Sequence, residues 1–169
     1  MKKYFIFRIK HGLLLLAIIM VLPLIVSAQN LIMARAADAT GLDPHTQTAF
    51  ASLRLLELIY EPLVVLDEKL NIVPALAESW SFSSDGKVLT FKLRKGVTFH
   101  DGSKMTAKDV IASFNRILTE KTGAATRANF LSIQSIEEQG QNTVVFYLSR
   151  PDVPILTAMT DTNASIISS

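Results

Sequence analysis

The feature that most limits the folds open to this chain is a run of alternating residues around one turn dipeptide. Trp80 and Phe82 alternate with Ser79, Ser81 and Ser83, and Asp85-Gly86 comes next. Leu89, Phe91 and Leu93 then alternate with Val88, Thr90, Lys92 and Arg94. A period of two puts one set of side chains on a buried face and the other in water. Asp-Gly supplies the positive φ angles of a tight connection. The pattern predicts an antiparallel hairpin over residues 80–94, which excludes an all-helical fold. A second pair of strands is predicted at residues 133–138 and 143–148, with a polar turn at 139–142. Val144, Phe146 and Leu148 share one of its faces.

Helical signals lie on either side of the hairpin. Thr106-Ala107-Lys108-Asp109 reads as a capping box, with Asp in the place of the usual Glu. Met105 and Val110 have the spacing of a hydrophobic staple, and Val110, Phe114, Ile117 and Leu118 form the apolar stripe. This helix should fade by residues 121–123 and lead into a loop to about residue 130. Asp43-Pro44 predicts another helix start. Phe50, Leu53, Leu56 and Tyr60 come after it at helical spacing, and Glu61-Pro62 ends the run. Short extended pieces are expected at 31–36, 63–66 and 72–74. A loop is expected at 38–41, a polar turn at 67–71 and a helical turn at 75–78. Gly96 and Asp101-Gly102 mark turns around 97–99, and Pro151 and Pro154 introduce a last short helix at 153–159. Together these elements predict an α+β fold of mixed short strands and hairpins with two main helices.

Charge is unevenly placed. Of 17 basic and 15 acidic residues, four basic ones (Lys2, Lys3, Arg8 and Lys10) and no acidic ones fall in residues 1–28. The remainder carries 13 basic and 15 acidic side chains, a net of −2. Such a body has no basic surface with which to grip nucleic acid. Residues 1–11 form a positive region, 12–26 an apolar run broken by Pro23, and Val26-Ser27-Ala28 a small-residue cleavage site. The run is short for a membrane span, which needs about 20 apolar residues. Residues 1–28 are therefore expected to be a secretory signal cleaved after Ala28. The chain has no cysteine. That excludes disulfides, thiol catalysis and Cys-ligated metal, and it removes the residue that a lipoprotein signal would lipidate. The expected location is the periplasm.

Catalytic patterns are sparse. His100-Asp101 has the order of a base with an orienting carboxylate, but no partner nucleophile accompanies it. His45 and His100, the histidines beyond the leader, lack the local spacing of a metal pair. Asn163-Ala164-Ser165 matches a glycosylation sequon, a tripeptide common by chance. No dinucleotide or P-loop pattern is present.

An ordered set of motifs carries more information. Leu42-Asp43-Pro44-His45, Leu58-Ile59-Tyr60-Glu61-Pro62-Leu63 and Pro74-Ala75-Leu76-Ala77-Glu78-Ser79-Trp80 come in sequence. Ser84-Asp85-Gly86, Thr90-Phe91-Lys92-Leu93-Arg94-Lys95-Gly96, Phe99-His100-Asp101-Gly102 and Thr106-Ala107-Lys108-Asp109-Val110 with Phe114 complete the set. The chain resembles family 5 of the bacterial extracellular solute-binding proteins, the dipeptide and oligopeptide receptors of ABC importers. The resemblance covers about residues 31–161. It implies a type II periplasmic-binding-protein-like fold, of which residues 29–169 would be part of the first lobe. It also implies a peptide-like solute as ligand, an inner-membrane ABC permease as partner, no cofactor and no enzymatic role. Thr48, Ala49 and Phe50 match one family segment that approaches the ligand, and residues 125–127, with Thr126 and Arg127, match another. Thr48 would be a hydrogen-bond partner, Phe50 a pocket wall or a core residue of its helix, and Arg127 a partner for a carboxylate.

Family members run several hundred residues longer and close two lobes on the solute. The chain is expected to stop within the first lobe and to bind poorly without the second. The alternatives are a stand-alone envelope module that uses the lobe to dimerise or adapt, and an envelope hydrolase working through His100.

Overall fold

The computed structural model describes residue 34 and residues 36–169. The expected signal sequence and most of the 31–36 strand lie outside these residues. The elements in order are helix α1 (Phe50–Leu56), strands β1 (Val64–Leu66), β2 (Ile72–Pro74), β3 (Ala77–Phe82) and β4 (Val88–Leu93), and helix α2 (Ala107–Leu118). Strands β5 (Ile133–Glu138) and β6 (Thr143–Leu148) and helix α3 (Pro154–Ala158) complete the chain. Short 3-10 turns occur at Glu120–Thr122, Arg127–Phe130 and Thr162–Ala164.

β3, β4, β6 and β5 lie in that order in one antiparallel sheet, and β1 and β2 form a separate small hairpin. The register sets Trp80 opposite Phe91 and Phe82 opposite Leu89. Leu89 in turn lies opposite Phe146, and Phe91 opposite Val144. The β3–β4 turn takes a positive φ at Gly86 but not at Asp85. Gly86 sits at φ 68° and donates its N–H to the Ser83 carbonyl at 2.9 Å. The Asp85 carboxylate accepts from the Lys87 amide at 3.1 Å.

α2 lies across the sheet. Val110, Phe114 and Ile117 are fully buried, and the Thr106–Asp109 capping box forms. Phe114 meets Phe146 edge-on at 5.0 Å and Phe130 at 5.3 Å. Phe146 meets Phe91 at 5.7 Å in the same manner. Edge-to-face pairs of this kind add about 0.5–1.5 kcal/mol each beyond the area they bury. The line Phe91, Phe146, Phe114, Phe130 thus runs from mid-sheet through the helix to the loop beyond it.

Two local expectations fail, both because backbone groups find partners elsewhere. The first helix begins at Phe50, behind an extended Ala49, and not at Asp43. A helix from Pro44 would need the Pro44 and Gln47 carbonyls as acceptors. Both instead accept from the buried Asn163 side chain, and the Asp43 carboxylate is held by Arg116. Tyr60 consequently falls outside the helix, whose end is Leu56. The 75–78 segment is likewise no helical turn. Ala75 and Ala77 donate to the Leu63 carbonyl at 3.3 and 2.9 Å, and the Leu76 carbonyl accepts from Arg94 at 2.8 Å. These bonds draw the chain into β3, with a bulge between Ala77 and Ser79.

Truncating Phe114 removes the centre of the aromatic line. Phe114→Ala should cost about 3–5 kcal/mol, read as a shift in the urea unfolding midpoint at unchanged slope.

Candidate functional site

Residues 42–50 are placed by a cluster of buried and half-buried polar contacts. Arg116, on α2, donates from Nη1 to Asp43 Oδ1 at 2.9 Å and from Nη2 to Asp43 Oδ2. The same Nη1 lies 2.8 Å from His45 Nδ1. His45 is fully buried, and its Nε2 lies 2.9 Å from the Ser165 carbonyl. Asn163, also buried, donates to the carbonyls of Pro44 and Gln47, the latter at 2.9 Å. The His45 carbonyl accepts from Ala125 at 2.9 Å. Helix α2, the segment after α3 and the loop after α2 therefore all hold residues 43–47.

The electrostatics reflect these contacts. The Arg116 guanidinium holds the Asp43 carboxyl below the usual carboxylate range, and Asp43 in return raises Arg116. Burial, reinforced by the Arg116 charge, pushes the His45 imidazole down, while the Ser165 carbonyl and Asp43 pull the other way. Burial raises Asp109. The amides and hydroxyls of Thr106 and Ser169 outweigh that effect, and the net direction is down.

The chain emerges from this cluster with its next residues turned outward. Thr48 is exposed and Ala49 half-buried. Phe50 is 70% exposed, so it is not part of the α1 core, which removes the core reading of that side chain. Arg54, one turn on, lies over the Phe50 ring at 4.8 Å and pairs with Glu57 at 2.7 Å. Phe50 lines an open recess of about 850 Å³ together with Arg54, Asn129, Arg150, Asp152 and Pro154. Thr48, Ala49, Thr126 and Arg127 do not line it. The half-buried Thr126 has a buried Oγ1 without a hydrogen-bond partner. Arg127 donates its Nε to the Leu118 carbonyl at 2.8 Å, so the side chain ties off the end of α2. The two sequence-predicted stretches thus meet through the backbone at His45 and Ala125. Their side chains do not converge on one point.

Sequence reasoning missed His45, Arg116 and Asn163 as a unit. The Leu42-Asp43-Pro44-His45 motif was the available signal, but its partners lie 71 and 120 positions away. Two other sequence patterns have plain structural roles. Asp101 Oδ1 accepts from the amide and hydroxyl of Ser103 at 2.8 and 2.6 Å, closing a surface turn in which His100 is exposed. Asn163 of the sequon is buried and its amide is doubly bonded, which leaves no acceptor for a glycan in the folded chain. Among the described residues, no group of three or more His, Asp or Glu side chains could hold a metal ion.

Residues 71–168 match the sequence model of the bacterial extracellular solute-binding proteins, family 5 middle region, over more than half of the chain. The chain belongs to family 5 of the bacterial extracellular solute-binding proteins. Its family 5 relatives include the dipeptide-binding protein of Escherichia coli K12, 31% identical over 179 residues, covering 95% of this chain and 33% of that one. The oligopeptide-binding protein AppA of Bacillus subtilis is 28% identical over 166 residues, covering 86% and 31%. Among solved structures, the binding protein AgaA of A. tumefaciens R10 in complex with agropinic acid superposes with a TM-score of 0.74 at 35% identity. That superposition covers 77% of this chain and 26% of AgaA. The chain spans about a fifth to a third of the length of the curated relatives it matches.

Removing the Asn163 amide tests the cluster. Asn163→Ala leaves two carbonyls without their donor and should cost about 1–3 kcal/mol. In amide-exchange mapping the loss of protection should concentrate in the residues bonded to the 43–47 and 163–167 segments, Ala125 among them.

Proposed function

We propose that residues 29–169 form part of the first lobe of an exported receptor that captures peptide-like solutes for an inner-membrane ABC permease. Residues 1–28 are its cleaved signal, and the periplasm is its place of work. Membership in family 5 supports this reading, as do the names of its relatives, a dipeptide-binding and an oligopeptide-binding protein. The observation that carries it is the presentation of Phe50. A large apolar side chain, 70% exposed, stands at the head of α1, immediately after a segment fixed by buried hydrogen bonds. A rigidly held aromatic on an open recess is a ready wall for an apolar ligand group.

The ligand-facing set is Thr48, Ala49, Phe50, Thr126 and Arg127. Thr48 offers its exposed hydroxyl, whereas the Thr126 Oγ1 is unpartnered but buried and reaches a ligand only if its loop moves. Arg127 keeps donors beyond the Nε that α2 occupies. Only Phe50 of this set lines the recess, so a bound peptide stays largely in water and binding should be in the millimolar range, about −4 kcal/mol.

Backbone NMR during titration with dipeptides and tripeptides tests the site. The amides of 48–50 and 125–127 should shift with a saturable, millimolar response. Shifts confined to other surfaces, or none, would overturn the assignment. Phe50→Ala should change stability by no more than about 0.5 kcal/mol, as an exposed substitution does, yet should weaken that response severalfold. N-terminal sequencing of the form recovered from the cell envelope should begin at Gln29.

A further inference from the structure

His45 is fully buried, and each of its ring nitrogens has one fixed partner, Arg116 Nη1 at Nδ1 and the Ser165 carbonyl at Nε2. A guanidinium can only donate and a carbonyl can only accept. The ring must therefore accept at Nδ1 and donate at Nε2, which fixes the neutral Nε2–H tautomer. A second proton can go only to Nδ1. There it would expel the Arg116 hydrogen bond and set two cations 2.8 Å apart in a packed interior.

The surroundings offer little compensation. From α2 the charged group at the ring is Arg116, and Tyr60, from the segment after α1, lies near Arg116. From its own segment it is Asp43, whose two oxygens are already engaged by Arg116. The segment after α3 presents the neutral Ser165 carbonyl and Asn163 amide, with Asp161 bonded to the Asn163 N–H. The loop after α2 presents the Ala125 amide, and its Arg127 is tied to Leu118.

We propose that His45 is an acid-sensitive latch: proton uptake at Nδ1 breaks the His45–Arg116 contact and loosens residues 43–50 from α2. The consequence for solute, loosening of the surface carrying Thr48 and Phe50, rests on the function proposed above. The latch itself does not.

Acid should weaken the latch. Burial holds the folded ring below the ordinary imidazole range, whereas the freed ring takes its proton at about pH 6.5. The latch therefore stabilises fully above about pH 6.5 and loses its contribution as pH falls from there toward the folded value. Asp43 and Asp109 sit below the ordinary carboxylate range, so their losses begin only below about pH 4. The interval between isolates His45.

Two measurements on the full chain test the latch. Ring 15N spectroscopy above about pH 7 should show the Nε2–H tautomer of His45. Amide-exchange protection at Ala125, corrected for intrinsic chemistry, should fall by up to about tenfold per pH unit below about pH 6.5. His45→Gln can still accept from Arg116 and donate to Ser165, and it should flatten that fall. His100→Gln, on the exposed turn, should leave it intact. An Nδ1–H tautomer, no loosening between about pH 7 and 5, or equal loosening in His45→Gln would overturn the latch. Absence of peptide-induced shifts at neutral pH would overturn the solute reading and leave the latch standing.

Discussion

The guanidinium of Arg116 is the contact on which the rest of the arrangement depends. It projects from a helix fixed by its own core stripe, and it reaches Asp43 with two nitrogens and His45 with one of them. Exposed ion pairs contribute little on their own. The Arg116 and Asp43 side chains are each 36% exposed, so their Coulomb attraction is partly screened. Geometry gives this pair its weight. The bonds are bidentate, and the same nitrogen fixes the tautomer of a buried histidine whose other side holds a distant backbone carbonyl. Residues 43–47 have little regular structure of their own, and this contact converts them into a firm ledge.

Thr48 and Phe50 stand immediately beyond that ledge. They can serve as a recognition surface only if the backbone beneath them is held. The aromatic line from Phe91 to Phe130 holds α2 on the sheet, α2 carries Arg116, and Arg116 carries the ledge. Asp109 serves twice within the same helix. It closes the capping box on Thr106 and accepts from the Ser169 amide at 3.1 Å. Ser113 accepts from the Ile167 amide at 3.0 Å, so the segment after α3 lies along α2. Framework residues of the motif set, Phe91, Asp109 and Phe114, thereby also position the candidate site.

Much of the fold was legible because its signals are local. The Asp85-Gly86 hairpin, the Thr106 capping box, and the strands at 133–138 and 143–148 each depend on residues within a few positions of one another. The failures share the opposite property. Asp43-Pro44 has the chemistry of a helix start, but Asn163 and Arg116 take its acceptors from far along the chain. The 75–78 segment reads as helical until Leu63 and Arg94 claim its backbone. The candidate site was placed by motif resemblance, and the contacts that hold it were not legible. Phe50 has the spacing of a core residue and lies outside the core because α1 starts only at that position. Arg127 has the type of a ligand donor, and part of its capacity goes to the end of α2.

If the Arg116 contact governs the ledge, its two ends must be energetically coupled. The most direct measurement is a double-mutant cycle on Asp43→Asn and Arg116→Gln, read from urea unfolding of the full chain at neutral pH. The account predicts a coupling of about 1–2 kcal/mol, larger than an ordinary exposed pair provides. Additive effects of the two substitutions would contradict it, and the Asn163 and Ser165 contacts would then be the anchor of residues 43–50.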